Sequence, residues 1–525
     1  MTATGATRRA VKSDEPAADD DARVANRFTA GRLPLICVLI VQTALSVRLV
    51  NSAFLNEATY LYAGHREIAW LLHGAPLPQK YPTYFSGAPA LYPVLGAMAD
   101  SVAGLRGARI LDLAFALGAT ALLYSTTDRL FGRRAAFFAA VLFATSAPIL
   151  FVGQLATYDA PAVFLLAWAF RTAVRSGERR AYVADACLYA VFAVVTKYAA
   201  LAFVPVLIGV AFAVALPRVG LKGAVKRAVV MVALTSLLIV VALVLAGPSY
   251  LAGVTSTTTA RAQSTDSAGS VAGHAFLYGG AIFVLAVVGT LLYAARTGGG
   301  PDAGDRKTRL LLGVVLTGAA LIAPASQMNL HILTSLQKHV GYGLLFTAPI
   351  AGLALARLAA AVRWRTGLAL AVAAAVGAAG VQQSSVLMTA WPNTDLMMTA
   401  LRAQAADDRA QGITDHILAE DGDIPRYYLA EDNHRVQVTD TYSFAYLKHG
   451  KKLTGTDSYA AAIRDHYFTI IVLDFGPTIA LDRQLASAST ESGYHQIAKI
   501  PYRASNGSGF IYVWRFVPSG KAGKP

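Results

Sequence analysis

The sequence predicts an α-helical polytopic membrane protein of about 11 transmembrane helices, followed by a small extracytoplasmic α/β domain. Three observations predict it. Hydrophobic residues make up 55% of the chain and charged residues 15%, against about a quarter charged in soluble domains, and the mean hydropathy is +0.47. The apolar residues fall in runs of about 15 to 22, roughly the length that crosses about 30 Å of hydrocarbon. Beyond residue 390 the composition turns abruptly toward Asp, His, Arg and Tyr.

A backbone in lipid must satisfy its own hydrogen bonds, so the runs are read as helices. They lie near residues 33–50, 108–127, 135–154, 160–174, 182–196, 199–216, 228–247, 274–295, 310–326, 340–360 and 367–387. The stretch 182–216 is too long for one helix, and Lys197-Tyr198 near its middle marks a turn. Arg8, Arg9, Arg23, Arg27 and Arg32 precede the first span. Every second loop afterwards is basic: Arg129/Arg133/Arg134, Arg175/Arg179/Arg180, Arg218/Lys222/Lys226/Arg227, Arg296/Arg306/Lys307/Arg309 and Arg363/Arg365. The positive-inside rule then puts the N-terminus in the cytoplasm of a multi-pass plasma-membrane protein and the C-terminal domain outside. Much of the net charge of +15 is this topology signal, so no nucleic-acid partner is expected; the lipid bilayer is.

Three domains follow: a disordered cytoplasmic tail at 1–32, a transmembrane unit at 33–389 with an outer loop at 51–107, and an extracytoplasmic α/β domain at 390–525. The outer loop closes with the moderately apolar Ala90–Leu105, too short to span and suited to the interface. The outer segment 248–273 is rich in Ser, Thr, Gly and Ala and reads as mobile. In the last domain, helix-like stretches (395–420, 458–466) alternate with β-branched or aromatic runs (469–473, 510–516). No glycine-rich nucleotide fingerprint follows a strand there, so no cofactor is assigned. Cys37 and Cys187 fall inside spans and supply neither a disulfide framework nor a zinc site.

Ionised carboxylates cost about 2.5–3.5 kcal/mol at a membrane-helix centre, so acids at span ends in so apolar a chain point to function. The first span ends in Asn56-Glu57-Ala58-Thr59-Tyr60, and another break reads Thr157-Tyr158-Asp159-Ala160-Pro161. Glu57 has the chemistry to accept a hydroxyl proton; a solvated loop acid is the plain alternative. Asp159 before Ala160-Pro161 fits a helix N-cap, which is compatible with lining a cleft. Lys197, Lys338-His339, Arg48 and Arg109 are predicted at the same outer level as Glu57 and Asp159, where a lipid-linked phosphate would need donors. Singly, such cations snorkel to headgroups, and Arg109–Asp112 at i, i+3 reads equally as a plain ion pair. No His/Asp cluster has metal-ligand spacing, so no metal is expected.

Together these residues resemble the C-type (GT-C) glycosyltransferases, in particular the protein O-mannosyltransferase and lipid A aminoarabinose transferase family. Asn56–Tyr60 is similar to the family's Asp-Glu motif, and 80–99 to its lysine- and proline-containing outer loop. Arg109, Phe131-Gly132-Arg133-Arg134, Thr157–Pro161 and Thr196-Lys197 follow at family-like spacing. The resemblance covers roughly residues 35 to 360. It implies transfer of a sugar from a polyprenyl-phosphate donor to the hydroxyl of an acceptor glycan, lipid or protein on the outer face, with inversion. The family's leading acid is Asn56 here, and Asn cannot act as a base, so Glu57, assisted by Asp159, is the expected proton acceptor. Lys197, Lys338, His339, Lys80 and Arg48, with Tyr60 and Tyr158, are the expected substrate-binding set. A lipid-linked-sugar transporter or flippase would share the spans and cations but would place ionisable groups near the midplane. A catalytically inactive glycolipid-binding relative is the other reading that Asn56 leaves open.

Overall fold

The computed structural model describes residues 17–296, 304–360, 363–430 and 436–516, with side chains from residue 32 onward. The first part of the expected tail, residues 1–16, lies outside the described residues. Helix α1 (Ala17–Ser46) begins well inside that expected tail, so residues 17–32 are helical. Then come α2 (Leu55–His73), α3 (Tyr92–Phe131), α4 (Arg133–Ala144), α5 (Ala147–Val152), α6 (Asp159–Arg175), α7 (Ala181–Thr196) and α8 (Val204–Ala246). They are followed by α9 (Pro248–Thr257), α10 (Ala268–Ala294), α11 (Arg306–Leu330), α12 (Leu336–Ala360) and α13 (Arg363–Met388).

Six helices among the described residues are long and apolar enough to cross a membrane unaided; the expected count of about eleven is not reached by that measure. The difference has local causes. The predicted span 135–154 is split into α4 and α5 at Thr145-Ser146. Helices α6 and α7, of 17 and 16 residues, stand among other helices, where protein satisfies what lipid cannot. Spans 199–216 and 228–247 meet in one long helix broken at Gly220, whose φ of 67° no β-carbon-bearing residue adopts readily. Helix α3 is likewise broken at Ala103 and Gly104. Its first part turns Leu95, Met98 and Val102 outward while Tyr92, Gly96 and Ala97 are buried, the amphipathic pattern expected of an interfacial helix.

Helix α12 is the axis of the bundle: Tyr342, Leu344, Leu345 and Phe346 have no exposed surface. Gly352 explains how closely α4 approaches it, since a β-carbon there would sit 2.5 Å from the Ala135 carbonyl oxygen.

The C-terminal domain comprises α14 (Asp395–Ala410), β1 (Asp415–Ala419), α15 (Asp423–Tyr428), β2 (Val436–Asp440), β3 (Ala445–Lys448), β4 (Lys451–Thr454), α16 (Thr456–Arg464), β5 (Ile470–Leu473), α17 (Ile479–Glu491), β6 (His495–Ala504) and β7 (Gly507–Arg515). The helix expected over 395–420 ends early, because Gly412 takes a positive φ of 73° and the apolar run 417–419 becomes a buried strand. The five-stranded sheet runs β2-β1-β5-β7-β6, parallel in its first three strands and antiparallel in the rest; β3 and β4 form a separate hairpin. The domain is bolted to the membrane unit. Ala53 and Ala58 share a core with Met397, Met398 and Ile424. Three hydrogen bonds tie α15 to the region around α2: Thr59 to Asp423 (2.6 Å), Tyr427 to Asp100 (2.6 Å) and the Ala53 N–H to the Tyr428 hydroxyl (2.9 Å).

Candidate active site

The Asn56-Glu57 pair opens α2, and its two side chains meet different surroundings. Glu57 has no exposed surface. Its carboxylate accepts the Phe54 N–H (2.8 Å) and the Ala156 N–H (2.9 Å), and takes a two-pronged hydrogen bond from Arg109 (Nε 2.9 Å, Nη2 2.7 Å). Arg109 also donates to the Asn51 and Ser52 carbonyls at 2.8 and 3.2 Å. The residue thus pins the start of α2 to α3 and to the turn before α6. Arg109 pairs with Glu57 and not with Asp112, which accepts the Tyr92 hydroxyl instead. Asn56 is half-buried, and its amide lies 3.5 Å from the Tyr60 hydroxyl.

Asp159 is the first residue of α6 and is fully buried. Its oxygens accept the Tyr342 and Thr157 hydroxyls, each at 3.1 Å. Two ammonium groups flank it, Lys338 at 3.8 Å and Lys197 at 4.0 Å, and both lysines are buried. One carboxylate between two cations leaves a net positive centre in a place that expels charge unless it is paired. Lys197 ends α7 in an extended conformation and donates to the Ser86 hydroxyl at 2.7 Å. That contact depends on Gly87, whose β-carbon would otherwise fall 1.9 Å from the Thr196 carbonyl oxygen. Aromatic rings close the floor: Tyr60 stands edge-on to Tyr158 (4.6 Å) and Phe85 (5.1 Å).

Two cavities adjoin this centre. One of about 380 Å³ is lined by Asn56, Lys338, Ser335, Gln337, His274 and Tyr278. The other, about 290 Å³, is lined by His339, Arg261 and Gln327 with an apolar wall of Leu201, Phe203 and Ile322. A third crevice, about 180 Å³, separates Phe54, Leu55 and Trp391 from Glu420, Asp421 and Asp474. Those acids follow β1 and β5, at the carboxyl ends of the parallel strands where open α/β sheets place their ligands. Burial, reinforced by the charges of Glu420 and Asp423, pushes the Asp421 carboxyl up to about 6.

Of the expected residues, the fold gathers Asn56, Tyr60, Tyr158, Asp159, Lys197, Lys338 and His339. Arg48 goes elsewhere: its guanidinium is committed to Ser384 and Ser385 of α13 at 2.9 Å each. Lys80 is exposed at the start of a 3₁₀ turn, Tyr81–Thr83. Tyr342 and Arg261 went unread in the sequence. Tyr342 stands four residues after Lys338 on α12, a spacing that puts both on one face. Arg261 is the lone Lys or Arg of the segment 248–273. That segment, expected to be mobile, begins with helix α9 and is pinned to the end of α11 and the loop after it: the Ser264 N–H donates to the Leu330 carbonyl (3.1 Å) and the Leu333 N–H donates to the Asp266 carboxylate (2.8 Å). Among the described residues no group of three or more His, Cys, Asp or Glu is arranged to hold a metal.

No family model matches this sequence, and no curated protein matches it. Solved structures do. The chain is similar to the oligosaccharyltransferase AglB from Archaeoglobus fulgidus in complex with an inhibitory peptide and a dolichol-phosphate, at 15% identity, over 91% of this chain and 74% of that one, with a TM-score of 0.55. ArnT from Cupriavidus metallidurans bound to undecaprenyl phosphate aligns at 14% identity over 94% of this chain and all of that one, TM-score 0.55. The arabinofuranosyltransferase AftD from Mycobacteria aligns at 14% over 92% of this chain and 41% of that one, TM-score 0.52. The chain therefore has the C-type glycosyltransferase fold that the resemblance of Asn56–Tyr60 and Thr157–Pro161 implied.

Proposed function

We propose that this protein is a membrane glycosyltransferase that moves a sugar from a polyprenyl-phosphate donor to an acceptor hydroxyl. The reaction takes place on the outer face of the plasma membrane, with the N-terminus cytoplasmic and the C-terminal domain extracytoplasmic. The observation that carries the reading is the buried Asp159–Lys197–Lys338 centre beside a cavity with one apolar and one cationic side. The isoprenoid chain lies against Leu201, Phe203 and Ile322, with its phosphate drawn toward Arg261, His339 and the two lysines. The acceptor approaches past Asn56, from the crevice lined by Phe54, Trp391 and the carboxylates after β1 and β5.

The chemistry is one in-line displacement. The acceptor oxygen forms a bond to the anomeric carbon as the bond to the phosphate oxygen breaks, and the phosphate leaves with the electron pair. Preorganised cations at that developing charge supply most of the rate; removing one donor costs about 2.7–4 kcal/mol in well-studied sites. The roles within the Asn56–Asp159 set differ from the sequence expectation. Glu57 has all its acceptor positions occupied and holds Arg109, so it is a positioning residue. Asp159, flanked by two ammoniums, is a weak base and serves to hold Lys197, Lys338 and Tyr342 in register. Asn56 orients the acceptor hydroxyl through its carbonyl oxygen. The proton passes to the departing phosphate, whose second ionisation near 6 makes it a competent acceptor.

The test is transfer from a synthetic polyprenyl-phosphate sugar by the protein in nanodiscs, read as released polyprenyl phosphate. Release that requires an acceptor and fails in Lys338→Ala supports the reading. Movement of intact donor across the bilayer without release would assign a transporter, and transfer from a nucleotide sugar with no lipid carrier would overturn the donor assignment.

A further inference from the structure

Lys338 and His339 are consecutive on α12, about 100° apart around the helix, and they line different cavities. Lys338 borders the one shared with Asn56, and His339 the one walled by Leu201, Phe203 and Ile322. A polyprenyl donor fills one of the two. The other, on the Asn56 side, also opens toward hydrocarbon. Its Tyr278 lines in addition a groove of about 260 Å³ between α10 and α13, floored by Ser146 and Ala147 at the break between α4 and α5.

The groove exists because its walls are small. Gly279, Ala281, Ala379 and Gly380 line it. A β-carbon on Gly380 would sit 2.3 Å from the Thr145 carbonyl oxygen, so α13 lies directly on the α4–α5 break. Beside Tyr278, Gln383 Nε2 donates to the Leu277 carbonyl at 3.0 Å and ties the two walls together. Both helices are long and apolar enough to cross a membrane, and Phe276 and Leu277 at the rim are exposed. On α13 the groove runs from Gln383 down to Val376, twelve residues before the helix ends at Met388, or about 18 Å of rise. Half of a bilayer's hydrocarbon core is about 15 Å, so the groove is one leaflet deep. At its other side the Asn56 cavity meets, at Phe54, the crevice that holds Glu420, Asp421 and Asp474. Crevice, reaction centre and hydrocarbon are joined in one path, and an acceptor dissolved in water needs only the first two.

We propose that the acceptor is itself a lipid with a neutral sugar head, whose hydrocarbon chain lies in the α10–α13 groove while its hydroxyl reaches Asn56. The rest of the head extends toward the carboxyl groups of the crevice. Those groups suit sugar hydroxyls as hydrogen-bond partners, whereas a phosphate head would meet them as a like charge. The proposal rests on the transferase reading and narrows its acceptor to a membrane-anchored glycan.

The experiment is photo-crosslinking of the purified full chain in phosphatidylcholine nanodiscs. A diazirine is carried in the acyl chain of monoglucosyl diacylglycerol, in the same chain of phosphatidylcholine, or in polyprenyl phosphate. The glucosyl lipid should label the peptides carrying residues 276–282 and 376–383 several-fold more than phosphatidylcholine does, and excess unlabelled glucosyl lipid should displace it. Ala281→Phe/Ala379→Phe fills the groove from two exposed positions and should remove that preference. Equal labelling by the two lipids, no displacement, or a preference unchanged in the double variant overturns the proposal. Labelling of the groove by polyprenyl phosphate in preference to the glucosyl lipid would make it the donor's site and overturn the proposal too. Labelling needs no turnover, so the two readings fail separately. Preferential labelling with no polyprenyl phosphate released from a polyprenyl-phosphate sugar overturns the transferase reading and the acceptor role with it. Release driven by methyl β-glucoside, with no labelling of the groove by the glucosyl lipid, overturns the lipid acceptor alone.

Discussion

Replacing Glu57 by Gln separates a buried clamp from a proton acceptor. The wild-type carboxylate accepts four hydrogen bonds, two of them from Arg109. An amide keeps one acceptor oxygen, and its NH₂ then faces groups that only donate. Arg109, 5% exposed, loses its counter-charge in a place it cannot leave. Breaking a buried ion pair from one side costs about 3–5 kcal/mol, and the orphaned Phe54 or Ala156 N–H adds a further ~1–3 kcal/mol, not fully additively. Glu57→Gln should therefore destabilise by at least ~3 kcal/mol, read as a lowered unfolding midpoint when denaturing detergent is titrated into mixed micelles. Arg109→Gln should be similarly harmful, because it also strips the Asn51 and Ser52 carbonyls of their donor. The double variant should cost less than the sum of the two by about 2–3 kcal/mol, the coupling of residues in one network. Turnover lost in Glu57→Gln with a midpoint within about 0.5 kcal/mol of wild type, the ordinary surface range, would refute the reasoning and return Glu57 to the role of base.

Other outcomes follow from the same geometry. Asp159→Asn should nearly abolish turnover, because two buried lysines lose the charge that sets their spacing; near-normal turnover would remove Asp159 from the site. Tyr342→Phe deletes one 3.1 Å hydrogen bond to Asp159 and should cost about 0.5–1.5 kcal/mol, a mild rate loss beside that of Asp159→Asn. Arg261→Ala should weaken retention of free polyprenyl phosphate by about tenfold while leaving unfolding unchanged; intact retention would move the lipid out of that cavity. In the C-terminal domain the Asp421 carboxyl is held at about 6 against about 3.9 in an unfolded chain. The folded state thus holds that proton more tightly, so the stabilisation is complete below about pH 4 and is lost as pH rises through about 6. Asp421→Asn should flatten the fall in melting temperature over that window, and an unchanged slope would contradict the burial argument.

Composition and periodicity were enough to read a helical membrane unit, an α/β region toward the C-terminus, and the places where Glu57 and Asp159 interrupt the apolar pattern. The sequence also marked Asp159, Lys197 and Lys338, because charged residues in apolar surroundings are costly enough to stand out one at a time. Tertiary structure decided the rest. The number of helices able to span alone fell short because length rules describe helices that lipid surrounds, whereas α6 is surrounded by protein and α7 packs one face against its neighbours. Glu57 and Asp159 looked alike as acids beside apolar runs, and only packing distinguished them: Arg109, more than fifty residues on in the chain, saturates the first, and two lysines flank the second. Arg48 and Arg261 exchanged expectations for the same reason. Distance along the chain does not say which oxygen a guanidinium will meet, and Arg48 found the serines of α13 while Arg261 reached the cavity beside His339.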